Sequence, residues 1–98
     1  MKLSGKQRRY LRGLGHGLTA VVMVGKDGVT EGLGRALDAA LEQHELIKVK
    51  LGQNVPEERH AAADAMAELS HSELVQVLGG TILLYRRHQK DPKIVLPT

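Results

Sequence analysis

The chain has 98 residues and a formal net charge of +3; 42% of its residues are hydrophobic and 26% are charged, a composition typical of globular rather than disordered chains. A chain of this length closes around one core, so we expect a single domain over 1–98, with a core of about 3–88 and a C-terminal tail of 89–98. The absence of cysteine excludes disulfides and thiolate chemistry and favours a cytoplasmic location. No apolar run approaches the roughly 18 residues of a membrane span, so we expect no membrane contact.

The first predicted element is a helix from about Gly5 to about Leu14. Ser4 and Gln7 have the spacing of a capping box, in which each side chain accepts a hydrogen bond from a backbone N–H group at the helix start. Glycine recurs at positions 13, 15 and 17. Because glycine adopts a left-handed cap without strain, we expect these residues to end the helix.

This first helix is predicted to be amphipathic. On a helical wheel Tyr10, Leu11 and Leu14 share one arc, which predicts that their side chains face the core. The opposite arc contains only basic side chains, at Lys6, Arg8, Arg9 and Arg12. The water-exposed side of the helix is therefore expected to be positive.

Two predicted strands flank a second helix. Residues 20–24 (AVVMV) are apolar without alternation, which is typical of a central strand covered on both faces. Within residues 29–45 apolar side chains recur at every fourth position, which predicts a helix packed on a sheet. Residues 46–52 (LIKVKLG) alternate, so this strand is predicted to bury one face and to expose Lys48 and Lys50 on the other.

A third helix is predicted after the second strand. Asn54 and Glu57 have cap-box spacing, and Pro56 would occupy the first turn, where a missing N–H group costs little. The buried stripe of this helix is predicted at Ala62, Ala65, Met66 and Leu69.

The last predicted unit is a β-hairpin. Two runs rich in branched apolar residues meet at Gly79 and Gly80, which permit positive φ at both turn positions. The element order is then α-β-α-β-α-β-β, an α/β single domain with one open mixed sheet, because strand-helix-strand units favour parallel pairing and the hairpin is antiparallel. The pattern does not determine the strand order. Whether residues 94–96 add a short edge strand stays open, since the prolines on both sides argue against a long strand.

The segment Gly25, Lys26, Asp27 and Gly28 between the first strand and the second helix has the chemistry of an anion seat. Glycine-flanked backbone N–H groups can approach a phosphate, the following helix start adds positive potential, and Lys26 adds a full charge. A tight strand-to-helix turn also needs glycine, so the pattern alone leaves a purely structural role open. It matches neither a Walker A loop nor a dinucleotide fingerprint.

Catalytic and metal-binding patterns are not recognisable in the sequence. The five histidines never pair at the i, i+4 spacing of a metal site on a helix, and no serine lies in a nucleophile elbow. We therefore expect no enzyme, no metal site and no cofactor.

Charge is distributed unevenly along the chain. Residues 2–26 contain basic but no acidic side chains, residues 27–45 carry five acidic residues against a single arginine, and Arg86 and Arg87 belong to a second basic cluster. Such clusters favour a polyanionic partner, although a solvated helix and tail would also explain them. Tyr85, beside Arg86, is a candidate for contacting a base or ribose or, equally, a core tyrosine with its hydroxyl at the rim.

Several motifs in order give the chain a family resemblance. They are the L-x-x-x-Q/K-x-x-x-L-R/K-x-L-x-H start, the V-G-K-x-G-V-T-x-G loop, the H-E-L-I-K-V-K strand start and the closing G-x-x-x-x-L-Y-R. Over roughly residues 3–96 the chain resembles the CRM domain family (chloroplast RNA splicing and ribosome maturation), in its stand-alone bacterial form, the YhbY-like RNA-binding proteins.

The resemblance implies an open α/β fold similar to the C-terminal domain of translation initiation factor three, and RNA binding in the maturation of the large ribosomal subunit. The family's GxxG loop corresponds to Gly25–Gly28, and Thr30 lies in the same motif. In KH domains a similar loop contacts backbone phosphates. Because an acid facing a phosphate would weaken the seat, we expect Asp27 to turn toward the backbone and Lys26 outward. Because the second helix is acidic, we expect no RNA along its outer face.

The sequence thus predicts a monomeric, cytoplasmic, non-enzymatic protein that holds rRNA in precursors of the large ribosomal subunit. Two alternatives stay open: a protein-interaction adaptor on the preribosome and a general nucleic-acid-binding protein of Alba type. The residues expected to contact RNA are Lys6, Arg8, Arg9, Arg12, Gly25, Lys26, Asp27, Gly28, Thr30, Lys48, Lys50, Tyr85, Arg86 and Arg87.

Overall fold

One four-stranded sheet lies between two helical layers in the computed structural model, which describes residues 2–98. The elements follow the predicted order: α1 (Gly5–Gly15), β1 (Ala20–Val24), α2 (Glu31–His44), β2 (Leu46–Leu51), α3 (Arg59–Leu69), β3 (Glu73–Leu78) and β4 (Thr81–Tyr85). The strand order, which the sequence left open, is β1-β2-β4-β3. β1 is parallel to β2 and the other neighbours are antiparallel, so the predicted mixed sheet is confirmed.

The two faces of the sheet carry separate hydrophobic clusters. On one face α2 and α3 pack on alternate strand residues, with Leu41, Met66, Ile47 and Leu84 fully buried. On the other face Leu11 of α1 packs in a second, smaller cluster, which the tail residues 94 and 96 join without forming a strand. Because successive residues of a strand point to opposite faces, α1 lies on the side of the sheet opposite α2 and α3.

The prediction that β1 is a central strand is wrong. β1 is an edge strand, paired only with β2 among the described residues. Val21 and Met23 are exposed on the α1 side of the sheet, whereas Val22 and Val24 pack against α2 and α3. An apolar run without alternation therefore marks a strand here but not its burial on both faces.

Helix α1 begins as predicted and ends differently. Both hydrogen bonds of the Ser4–Gln7 capping box are present. The C-terminal cap is His16 in a right-handed conformation, with φ of −59°, rather than a left-handed glycine. Tyr10 and Leu14, predicted to face the core, are exposed, because α1 reaches the sheet mainly through Leu11 and Gly15.

Helix α3 begins later than the capping pattern predicts. Its N-cap is Glu58, whose carboxylate accepts hydrogen bonds from the N–H groups of His60 and Ala61, so residues 54–57 form a loop. Ala62 and Met66 are buried as predicted, but Leu69 is exposed and Ala65 is only half-buried. The predicted hairpin is confirmed, although only Gly79 of its two glycines has a positive φ, of 57°.

Glu45, just after α2, anchors the C-terminal tail. Its buried carboxylate accepts hydrogen bonds from the backbone N–H groups of His88, Lys93 and Ile94 at 2.8–2.9 Å. Within residues 2–98 no helix has the length and apolar character needed to cross a bilayer.

Candidate nucleic-acid interface

Acidic residues are concentrated on the side of the sheet that α2 and α3 cover. Eight of the eleven acidic residues fall within 31–45 and 57–68, which form α2, α3 and the residues beside their ends. The segment that forms α1 and β1 contains no acidic residue. The tertiary structure therefore separates an acidic helical layer from a basic one. The order of basic and acidic segments along the chain does not by itself require this separation.

The four basic residues predicted on α1 are not equivalent. The Arg8 guanidinium donates a hydrogen bond to the Leu74 carbonyl of the edge strand β3, and Nζ of Lys6 lies 3.5 Å from the Thr98 carbonyl. Arg9 is exposed and Arg12 half-buried, and neither makes a side-chain hydrogen bond or an ion pair within residues 2–98. Arg9 and Arg12 are thus available to an anion, whereas Arg8 holds α1 against the sheet.

One side of α1 lies beside the edge strand β3. Arg8, Arg12 and His16 follow one another at intervals of four residues, so they lie along the same side of the helix. Arg8 contacts β3, and His16 lines a small recess together with Gln76 and Leu78 of the same strand. Arg12 therefore lies above the part of β3 that leads to the hairpin.

Helix α1 leaves one row of the sheet uncovered. The register pairs Met23 of β1 with Lys50, Lys50 with Thr81, and Thr81 with Leu78 of β3. All four side chains are on the α1 face, because Thr81 lies two and four residues before Leu83 and Tyr85, which pack under α1, and therefore points to the same face. We call this row the open strip: Met23, Lys50, Thr81 and Leu78. Lys48, predicted to be exposed, is half-buried, because it lies in the next row and lines the recess below His16.

The predicted GxxG segment is a tight turn between β1 and α2. The Gly28 N–H group donates to the Gly25 carbonyl at 3.0 Å, and Gly28 has a φ of 69°. Lys26 and Asp27, at the tip, are exposed and make no ion pair within residues 2–98. Thr30 is the N-cap of α2, and its hydroxyl accepts a hydrogen bond from the Leu33 N–H group at 3.1 Å. The turn therefore presents Lys26 freely, while Thr30 has a structural partner.

An acidic residue lies against this turn, which the sequence did not predict. Oε2 of Glu57 accepts a hydrogen bond from the Val29 N–H group at 3.2 Å. Its Oε1 is buried and has no hydrogen-bond partner in the described structure. Glu57 thereby occupies one backbone donor at the start of α2 and places a negative charge beside the seat. Nothing local in the sequence signals this contact, because Glu57 belongs to the loop between β2 and α3.

Arg86 is bound by other residues of the fold, and Tyr85 lies in the core. The Arg86 guanidinium contacts Asp38 Oδ1 at 2.8 Å, the Ser70 carbonyl at 2.8 Å and Glu42 Oε2 at 3.3 Å. Tyr85 is fully buried, so its ring cannot contact a base in this structure. It is a core tyrosine, but its hydroxyl is buried without a hydrogen-bond partner in the described residues and does not lie at the rim. Burial, with the nearby Glu45 carboxylate as a second cause, raises the pKa of the Tyr85 hydroxyl.

The candidate residues thus fall into two groups. Arg87 is exposed beside Arg86, after the end of β4, whereas the GxxG turn and the hairpin lie at the other end of the sheet. The second group consists of basic residues in α1, in the turn at Gly25–Gly28 and in β2. We call it the basic face: Arg9, Arg12, Lys26, Lys48 and Lys50. The described residues contain no cluster of three or more side chains suited to holding a metal ion.

Comparison with known proteins gives a consistent result. Residues 3–86 match the family described as the CRS1 / YhbY (CRM) domain. A probable RNA-binding protein of Bacillus subtilis, YqeI, is 43% identical over 95 residues, covering 97% of this chain and 99% of the relative. A probable RNA-binding protein of Pseudomonas aeruginosa is 40% identical over 93 residues, covering 95% of this chain and 89% of the relative.

A solved structure agrees in fold. A hypothetical protein from Staphylococcus aureus, determined in solution, is 41% identical to this chain. The match has a TM-score of 0.83 and covers 98% of this chain and 100% of the other.

Proposed function

This chain belongs to the CRS1 / YhbY (CRM) domain family, and on that premise we propose that it binds RNA through the basic face. The relatives named above as probable RNA-binding proteins match nearly the full chain, which supports RNA as the partner. The separation of charge across the sheet carries the proposal. Arg9 and Arg12 lie on the α1 side of the sheet and Lys26 in the turn between β1 and α2, and none of the three makes an ion pair within residues 2–98.

The mode of binding follows from the side chains on this face. Arginine and lysine contact phosphates, and such contacts fix position without reading base sequence. The tight turn at Gly25–Gly28 brings backbone close to the ligand, and Lys26 supplies the charge there. We therefore assign the protein a binding role rather than a catalytic one, with most of its affinity coming from the RNA backbone.

The biological partner we propose is rRNA in precursors of the large ribosomal subunit, in the cytoplasm. The proposal rests on the family membership, with the basic face supplying the phosphate contacts. We propose that the protein acts as a monomer.

The first experiment measures RNA affinity against salt concentration. In a variant with Arg9→Gln, Arg12→Gln and Lys26→Gln we expect weaker binding and a shallower dependence of log K on log salt, since each lost phosphate contact removes roughly 0.7 to 0.9 from the slope. The matched control is Arg35→Gln, Lys90→Gln and Lys93→Gln, which removes the same charge from exposed positions outside the basic face. An equal loss in both variants would show a general charge effect and contradict the assigned face.

The ribosomal role needs a separate test. In gradient sedimentation of cell extract the wild-type protein should migrate with large-subunit precursors at low salt, and the triple variant should stay at the top of the gradient. Arg8 is left intact because it holds α1 on β3. Wild-type protein at the top of the gradient at both low and moderate salt would refute the ribosomal role while leaving RNA binding itself to the affinity measurement.

A further inference from the structure

The open strip exposes large apolar side chains at both of its ends. Met23 is 67% exposed and Leu78 is 62% exposed, the two highest values for large hydrophobic residues in the described strands. They stand at opposite edges of the sheet, in β1 and β3, with Lys50 and Thr81 between them. The row therefore presents one apolar side chain at each end and two polar side chains between them.

The end of α1 defines the border of this strip. A β-carbon at Gly15 would lie 2.6 Å from Leu83, so the helix approaches the sheet as closely as its backbone allows. His16 then lies beside Gln76 and Leu78, and the chain turns toward β1. The strip is therefore a shelf below the end of α1, bordered on the β1 side by the turn at Gly25–Gly28.

Lysine side chains lie in and beside the shelf, and the turn at its border carries Asp27 next to Lys26. Lys50 lies within the strip, Lys48 lies in the adjacent row, and Lys26 lies three residues after Met23. The strip itself contains no acidic residue. The combination of apolar side chains with lysine fits a ligand that has both flat apolar surfaces and negative charges.

We propose, building on the proposed function, that the open strip receives two or three unpaired bases of a single-stranded RNA segment. Neighbouring strands are about 4.8 Å apart, so a row across four strands spans roughly 14 Å. Other four-stranded RNA-binding sheets stack two or three bases on such a width through aromatic side chains, in whose place this strip offers Met23 and Leu78. The Met23 thioether and the Leu78 side chain contact base faces, because sulfur and aliphatic groups pack favourably on aromatic rings.

A duplex does not fit this shelf. In A-form RNA the base faces are stacked inside the helix, and only the shallow groove and the phosphates are accessible. A protein partner fits less well than single-stranded RNA. Lysine is rare in the cores of protein interfaces, and Lys50 lies in the centre of the strip. The strip therefore distinguishes unpaired RNA from paired RNA, a choice that phosphate contacts alone do not make.

The test compares two forms of one RNA. Fluorescence anisotropy measures binding of a labelled 12-nucleotide strand without self-complementarity, alone and annealed to its complement, at one fixed salt concentration. We expect wild-type protein to bind the single strand roughly tenfold more tightly than the duplex. In the variant Met23→Ser with Leu78→Ser we expect single-strand affinity to fall about fivefold, from lost apolar contact, with an unchanged salt slope and unchanged duplex affinity.

The control removes exposed apolar side chains elsewhere. Val95→Ser with Leu69→Ser changes exposed positions in the tail and α3, and should leave single-strand affinity unchanged. Equal affinity for single strand and duplex, with no effect of the strip variant, would overturn the inference. If the basic-face variant still lost affinity in that case, the proposed function would stand alone.

Two other outcomes separate the proposals further. Failure of wild-type protein to bind either RNA form would refute the proposed function and the inference together. Loss of association with a ribosomal protein in the strip variant, with single-strand affinity intact, would identify the shelf as a protein interface and overturn the inference.

Discussion

Gly28 and Glu57 are in direct contact although they belong to different loops. A β-carbon at Gly28 would lie 2.2 Å from Oε1 of Glu57, and Gly28 has a φ of 69°. Oε2 of the same carboxylate accepts the hydrogen bond from the Val29 N–H group. The loop before α3 thus fixes the turn before α2, and the anion seat depends on both.

Gly28→Ala should therefore destabilise the protein. The left-handed backbone and the contact with Glu57 both oppose a β-carbon, and we expect the free energy of unfolding to fall by about 2 kcal/mol. Urea denaturation measures this change. Gly25→Ala is the matched control, because its β-carbon would meet nothing within 4 Å and its φ is not positive. A similar loss in both variants would contradict the role assigned to the Glu57 contact.

Glu57→Gln should strengthen RNA binding. Glutamine retains an oxygen that can accept from the Val29 N–H group, but the negative charge beside the phosphate seat is removed. Since one charge a few ångströms away contributes up to about 1 kcal/mol in a wet environment, we expect affinity to rise up to about fivefold. Anisotropy titration against the same strand measures the effect, with Glu68→Gln on the exposed side of α3 as control. Weaker binding in Glu57→Gln would show that the carboxylate supports the seat.

Substitution of Arg9 and Arg12 should change RNA binding, whereas substitution of Arg8 should change stability. Arg9→Gln with Arg12→Gln should lower the magnitude of the salt slope by about 1.4 for single-stranded RNA, with little change in stability, because neither side chain has a partner within residues 2–98.

Arg8→Gln and Arg86→Gln should instead lower the free energy of unfolding by about 1 kcal/mol each, since both side chains bind backbone carbonyls of the fold. Salt-dependent titration and urea denaturation of the same preparations separate the two effects. A stability loss in the Arg9 and Arg12 variant, without a change of slope, would contradict this division.

The Glu45 carboxylate should make stability depend on pH. Burial alone would raise its pKa, but hydrogen bonds from the backbone N–H groups of His88, Ile94 and Lys93 outweigh burial and lower the pKa below the ordinary value of 4.5. Because the folded pKa is the lower one, this stabilisation is complete above the unfolded pKa and is lost as the pH falls through the folded pKa.

Glu45→Gln should therefore be less stable than wild type at pH 7, and the difference should shrink as the pH falls below 4.5. Urea denaturation at several pH values tests this, with Glu68→Gln as a control for the loss of one charge. A difference that stays constant with pH would show that the carboxylate charge is not what holds the tail.

Two glycines of α1 should respond to alanine in opposite directions. Gly13→Ala adds a β-carbon in open space and should stabilise the helix by about 0.5 to 1 kcal/mol. Gly15→Ala places a β-carbon 2.6 Å from the buried Leu83 side chain and should destabilise by about 1 kcal/mol. Thermal and urea denaturation decide the sign. A stabilising Gly15→Ala would mean that Leu83 can move without cost.

The sequence by itself determined the elements of this protein and their order. The capping box at Ser4, the alternation of Lys48 and Lys50 with apolar neighbours, and the hairpin at Gly79 all depend on residues close together in the chain. Such signals are local, because they reflect backbone hydrogen bonding and the repeat of one element. The family motifs are also contiguous, which is why the family could be recognised before the fold was known.

Only the tertiary structure decided which of these residues form one surface. Strand order placed β1 at the edge and exposed Met23, and contacts over 28 and 48 residues joined Glu57 to Val29 and Arg86 to Asp38. These pairings carry no local signature, since many partners of the same chemistry are available along the chain. The separation of acidic α2 and α3 from basic α1 follows from their packing on opposite faces of the sheet, and that separation defines the candidate interface.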